Sequence, residues 1–278
     1  MRNSWFAGVL VLSVLSSAGF AKPSVDELAS ASAAEARGEA MFAYDQAAWH
    51  ATDKFREDMR RKGADQAKLV AQGFEGYIVE PGEGGQLLAS FYAQLDGRNF
   101  ALARYQVIGS TVSGGGFVEP DSTAALSLLA LRMIDAREKA IQQMALPDHA
   151  LCSTSPPNTL VLPPQVDGSI PVYVLTSTTE GGVYPAGGHY RFDYDVEGKL
   201  SGERRFMKSC FQVDYRPKGG NKPTLLFLTH LLDPQPTEIH VFVQLNIPVS
   251  LGVITVANGA LWSIEAGKVR YEQDIPKE

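Results

Sequence analysis

Between residues 74 and 118 four apolar, alternating segments follow one another with little but turn residues between them. The segment 74–80 runs into Pro81-Gly82-Glu83-Gly84-Gly85, 87–95 alternates until Asp96-Gly97, 100–108 ends at Gly109-Ser110, and 111–118 closes the series. Asp-Gly between alternating runs is a hairpin signal, so this region is predicted to be an antiparallel meander. Gly114-Gly115-Gly116 loosens its last strand.

A helix is predicted on each side of the meander. The first covers 24–61: Ser24 with Glu27 three residues on forms a capping box, and Lys62-Gly63 ends the helix. Met41, Ala48, Phe55 and Met59, flanked by Phe42 and Trp49, give it one apolar stripe, read as core, and Gly38 marks a break or a weak first half. The second runs from Ala124 to about Met144, started by Asp121-Ser122-Thr123 and stopped by Pro147.

After the proline-rich stretch 153–164 the chain reads mainly as strand: 160–162, 172–176, 189–194, 204–215, 225–230, 249–256, 260–265 and 268–271. A short helix at 237–245 interrupts them. The expected fold is therefore α+β: an N-terminal helix plus antiparallel meander, a second long helix, then a sheet-dominated C-terminal half with one short helix. The regions fall at 1–21, 22–122 and 123–278.

Residues 1–21 read as a signal peptide: Arg2, an apolar run from Trp5 to Leu15, then small residues up to a cleavage point after Ala21. No later stretch approaches a membrane span, so the mature chain is expected to be periplasmic or secreted. With 25 Lys+Arg against 31 Asp+Glu, the net charge is −6, which argues against a nucleic-acid partner. An oxidising compartment turns the only two cysteines, Cys152 and Cys210, into an expected disulfide. Closing a loop of this length contributes about 4 kcal/mol in the chain-entropy model. The alternative is a reactive thiol at Cys210, which follows Arg204-Arg205-Phe206-Met207-Lys208-Ser209.

Chemistry-bearing residues are densest between Thr229 and His240. His230, Asp233 and His240 are candidate metal ligands, with Glu238 or Glu180 as general base through a bound water. The same residue types also start helices: Thr237 and Asp233 as caps, Glu238 offsetting the helix dipole, and His240 at the edge of a core. His189, in Gly187-Gly188-His189-Tyr190-Arg191, lies on a turn that exposes N–H groups to an anion or simply needs positive φ. Arg191 with Arg204, Arg205 and Lys208 makes either a positive strip or an ordinary solvated sheet face. His50 and Asp53 are neighbours on the first helix, where a surface ion pair or hydrogen bond accounts for them. No serine has a GxSxG setting.

Two resemblances complete the reading. The segments 45–53, 187–191 and 229–242 resemble those of an uncharacterised family of exported proteobacterial proteins, a likeness that spans nearly the whole mature chain and implies no activity. The C-terminal order of elements also resembles a JAB/JAMM metallopeptidase-type fold, which holds zinc with an upstream Glu, a His-x-His-Pro pair and a Ser-x-x-Asp. Glu180 and His230 match two of those positions, but Leu232 stands at the second His and Thr237-Glu238-Ile239-His240 at the Ser-x-x-Asp. That departure implies an inactive scaffold or a rebuilt site. The expectation is an exported, non-catalytic protein without cofactor, binding an envelope protein or cell-wall component. The alternative is a zinc-dependent hydrolase around His230 and His240.

Overall fold

The computed structural model describes residues 22–63, 73–119, 124–217 and 219–274. The predicted signal peptide, residues 1–21, lies outside them, as do Asp121-Ser122-Thr123. Helix α1, Val25–Arg61, begins with the predicted capping box: Glu27 N–H donates to Ser24 Oγ, and Ser24 N–H to Glu27 Oε2. The meander follows as β1 (Phe74–Pro81), β2 (Leu87–Leu95), β3 (Arg98–Ile108) and β4 (Thr111–Phe117), antiparallel throughout.

Helix α2 covers Leu128–Met144 and starts later than Ala124 because Ser127 is its cap. Ala130 N–H donates to Ser127 Oγ, whose own hydroxyl donates to Glu80 Oε2 on β1. A second antiparallel sheet has the order β5-β6-β8-β9, from Asn158–Val161, Ile170–Leu175, Tyr190–Tyr194 and Leu200–Arg205. The short strands β7 (Val183–Pro185) and β10 (Gln212–Asp214) pair beside it. The strand expected over 204–215 is thus two. Its interior turns because Phe206 and Met207 are buried and Cys210 is bonded to Cys152.

The last sheet joins β11 (Leu225–His230) in parallel to β12 (Ser250–Thr255), then β13 (Ala260–Glu265) and β14 (Lys268–Asp274) antiparallel. Helix α3, Glu238–Leu245, makes the crossover that the parallel pair requires. The architecture is α+β, with a sheet-rich C-terminal half. No helix among the described residues is long and apolar enough to cross a membrane.

Two hydrophobic cores form, and each draws on both sides of residue 122. In the larger, Met41, Ala48 and Phe55 of α1 meet Phe91 and Tyr105 of the meander and Val241, Phe242 and Trp262 of the C-terminal half. In the smaller, Met133 and Ile134 of α2 lie between Ile78 and Tyr92 on one side and Val172 and Phe192 on the other. Two expectations for α1 need correction. Trp49 is 54 % exposed and rests on the His50 ring, because the buried positions run 41, 44, 48, 51 and 55 and place residue 49 off that face. Gly38 is no break. The helix is continuous there, and a Cβ at Gly38 would lie 2.5 Å from Val241 Cβ and 2.8 Å from the Glu238 carbonyl oxygen. The glycine is where α3 crosses against α1.

Candidate functional site

Two polar environments meet at the start of α3, with Arg204 and Thr237 common to both. On one side lie the predicted histidines. His230 is the last residue of β11, and its Nε2–H donates to Asp233 Oδ2 at 2.8 Å. Arg204 Nη2 donates to the same oxygen, also at 2.8 Å. Burial pushes the Asp233 carboxyl up, but the bonds from His230 and Arg204 outweigh it and hold the group below its ordinary value. His240 Nδ1 accepts from Thr237 N–H at 2.9 Å, which puts its ring proton on Nε2. The two imidazoles pack edge to face with centroids 4.6 Å apart. Burial first, and the charge of His230 second, press His240 well below the usual imidazole range. Its Nε2 is buried without a hydrogen-bond partner.

The residues His230, Asp233 and His240 are brought together; His230 Nε2, Asp233 Oδ2 and His240 Nδ1 are bonded to protein groups, and His240 Nε2 is not. A cation at Asp233 would compete with Arg204, and one at His240 Nδ1 with the Thr237 amide. Among the described residues no group of three His, Cys, Asp or Glu side chains is arranged to hold a metal ion. As they stand, these side chains do not fit the zinc set that the JAMM resemblance implies.

The two predicted bases are also held. Glu238 is 4 % exposed, and its Oε1 accepts from Arg191 Nη1 at 2.6 Å and from Tyr173 OH at 3.2 Å, with Arg37 Nη1 3.6 Å away. Burial raises the Tyr173 phenol well above its ordinary value, and the Glu238 charge adds to this. Burial disfavours the Arg191 cation, but Tyr173, Glu238 and Asp193 together favour it more strongly. Glu180 lies on the loop before β7, exposed and paired with Arg216.

His189 and its turn are structural. Thr176 N–H donates to His189 Nδ1 at 3.1 Å, and His189 Nε2–H donates to the Pro185 carbonyl at 3.0 Å. Burial lowers its pKa to about 4. Gly188 has φ +74°, and a Cβ there would lie 2.6 Å from Cys152 Sγ, so the glycines let the turn pack against the Cys152–Cys210 disulfide. On α1, Asp53 pairs with Arg56.

On the other side of the α3 start is an open cavity of about 220 Å³. Arg37 of α1, Arg191 of β8 and Arg204 of β9 line it, together with Thr237, Glu238 and Pro236. Arg191 and Arg204 are directly opposite in the β8–β9 register. Like charges so placed repel, and carboxylates outside the lining hold each one in place: Asp193 on Arg191 Nε and Asp233 on Arg204 Nη2. Arg37 is oriented by Gln165, whose Oε1 accepts from Nη2 at 2.6 Å. A guanidinium has five N–H donors, so three of them leave donors for an anion after these bonds are made.

The Arg191–Arg204 strip was legible in the sequence as one of two readings; their pairing across two strands turns it into a lining. Arg37, more than 150 residues earlier, carries no local signal. Comparison with protein-family models, with curated proteins and with solved structures finds no match.

Proposed function

We propose that this chain is exported and serves in the cell envelope as a non-catalytic binding protein, with an anion as its ligand in the cavity at the start of α3. The observation that carries the reading is the convergence of Arg37, Arg191 and Arg204, from three separate elements, on a lining that contains one carboxylate, Glu238. Planar, forked guanidinium groups suit carboxylate and phosphate geometry. The hydrogen bonds of Glu238, Asp233, His189 and His240 to neighbouring protein groups support a binding role over proton transfer. The disulfide and the N-terminal apolar run support export to the periplasm or beyond.

Calorimetric titration with inorganic phosphate and with acetate tests the reading. Saturable binding is expected, weakened tenfold or more by Arg37→Gln, the size of one charge-assisted hydrogen bond. Lys268→Gln, on the exposed pair with Glu35 and Glu39, should leave it unchanged. Equal binding by the Arg37→Gln and unaltered proteins would overturn the site. About one zinc per purified chain, lost with His230→Ala and His240→Ala, would instead favour the metal-dependent hydrolase, with Arg204 displaced from Asp233.

A further inference from the structure

A second concavity adjoins the arginine cavity along the same helix. It is a groove of about 740 Å³ between α1 and the connection from β5 to β6. Ala33 and Arg37 line both spaces, so Arg37 stands where they meet. Beyond it, Ala36, Ala40 and Tyr44 continue the helix wall, and Pro163, Pro164 and Pro171 form the facing one, where the Asp167 carboxylate accepts from the Ser169 N–H and hydroxyl. Val166, at the rim, is fully exposed.

The facing wall is braced in advance. Gln165 N–H donates to the Ser169 carbonyl at 2.8 Å and Gly168 N–H to the Gln165 carbonyl at 2.9 Å, while Gln165 also ties this loop to Arg37. From Ser30 in the cavity to Tyr44 in the groove α1 rises about 21 Å. A cationic end and a mainly apolar run thus share one line, within the size range of small-molecule sites.

We propose that cavity and groove form one site for a single-chain anionic amphiphile, its carboxylate on the arginines and its alkyl chain along α1. This rests on the anion-binding reading above and names the class of ligand. Charge complementarity fixes the orientation, because the guanidinium groups gather at one end. The prolines distinguish an alkyl chain from a peptide. Three prolines in the wall offer no N–H, so a peptide laid there would gain no backbone hydrogen bonds from them. An alkyl chain needs none.

The test is calorimetric titration of the purified protein, freed of lipid by solvent extraction, with acetate, octanoate, decanoate and dodecanoate, and with dodecanol. Affinity should rise about three- to fifteenfold for each two methylenes added, the range for partly to fully buried chain. Dodecanol should bind at least tenfold more weakly than dodecanoate. Ala36→Gln, on the exposed groove face of α1, should weaken dodecanoate more than it weakens acetate. Equal affinity for acetate and dodecanoate would overturn the amphiphile while leaving the anion site intact. Absence of binding by acetate and by every longer acid would overturn both. Dodecanol binding as tightly as dodecanoate, or a peptide ending in a free carboxylate outcompeting dodecanoate, would overturn the assignment of ligand class.

Discussion

The two halves of α1 solve the same packing problem with opposite residues. Toward its C-terminal end Phe55 stacks on Phe91 with centroids 4.2 Å apart and meets Phe117 at 5.5 Å, so large rings fill the space against the meander. Toward its N-terminal end the buried positions are Ala31, Ala34 and Gly38, and α3 approaches until there is no room for a Cβ at Gly38. Rings close a core and exclude water. Small residues bring two backbones together, and the space left beside them is where Arg37, Arg191 and Arg204 collect. The ring-filled end accounts for stability, and the small-residue end for the site.

The largest effect should come from the ring-filled end. Phe55→Ala removes a 2 % exposed ring and is expected to cost about 3–5 kcal/mol, read by urea unfolding, with phosphate binding unchanged under native conditions. Weaker binding in a still-folded Phe55→Ala protein would break the division between the two halves.

Acid should act through the buried titratable groups outside the ring-filled core. His189 is neutral when folded down to about pH 4 and titrates near 6.5 when unfolded. A depressed histidine stabilises fully above the unfolded value, and that stability is lost as pH falls from 6.5 toward 4, about 3 kcal/mol in all. His240 acts in the same direction. Asp45 opposes them: burial raises its carboxyl to about 6, so the folded state takes up a proton first and gains stability over part of the same window. Asp45→Asn should therefore be more stable than the unaltered protein at pH 7, by about 1–2 kcal/mol for a half-buried group. Its loss of stability on acidification to pH 4.5 should be steeper. Parallel stability–pH curves for the two proteins would contradict this assignment.

The smallest change sharpens the comparison most. Alanine is the better helix former by about 1 kcal/mol, yet Gly38→Ala must push α3 away from α1. A net loss of about 1–2 kcal/mol is expected, with phosphate binding weakened several-fold as Thr237 and Glu238 move. A stabilised Gly38→Ala protein with unchanged binding would show that the close approach does not hold the cavity in shape.

The meander was legible because its signals are local: alternation along each strand, and turn pairs such as Asp96-Gly97 between them. The start of α2 was not, since Ser127 and Glu80, its hydrogen-bonded partner on β1, are distant in sequence. The gathering of His230, Asp233 and His240 within eleven residues could also be read, and so could the cysteine pair, from chemistry and compartment. What those groups are bonded to could not. Arg204 reaches Asp233 from another sheet, and Glu238, expected to act as a base, is the counter-ion of Arg191. The arginine cavity depends on the β8–β9 register and on a helix far earlier in the chain, and no spacing rule joins them.

The central claim is that three arginines from three elements serve one anion. Its most direct test follows the side-chain Nε–Hε resonances of protein labelled at arginine with nitrogen-15 as phosphate is added at constant ionic strength. Resonances of Arg37, Arg191 and Arg204 should shift together and saturate with one shared dissociation constant, while Arg216, on its exposed pairs with Asp214 and Glu180, stays in place. Small, unsaturated shifts spread evenly over all arginines would contradict the account.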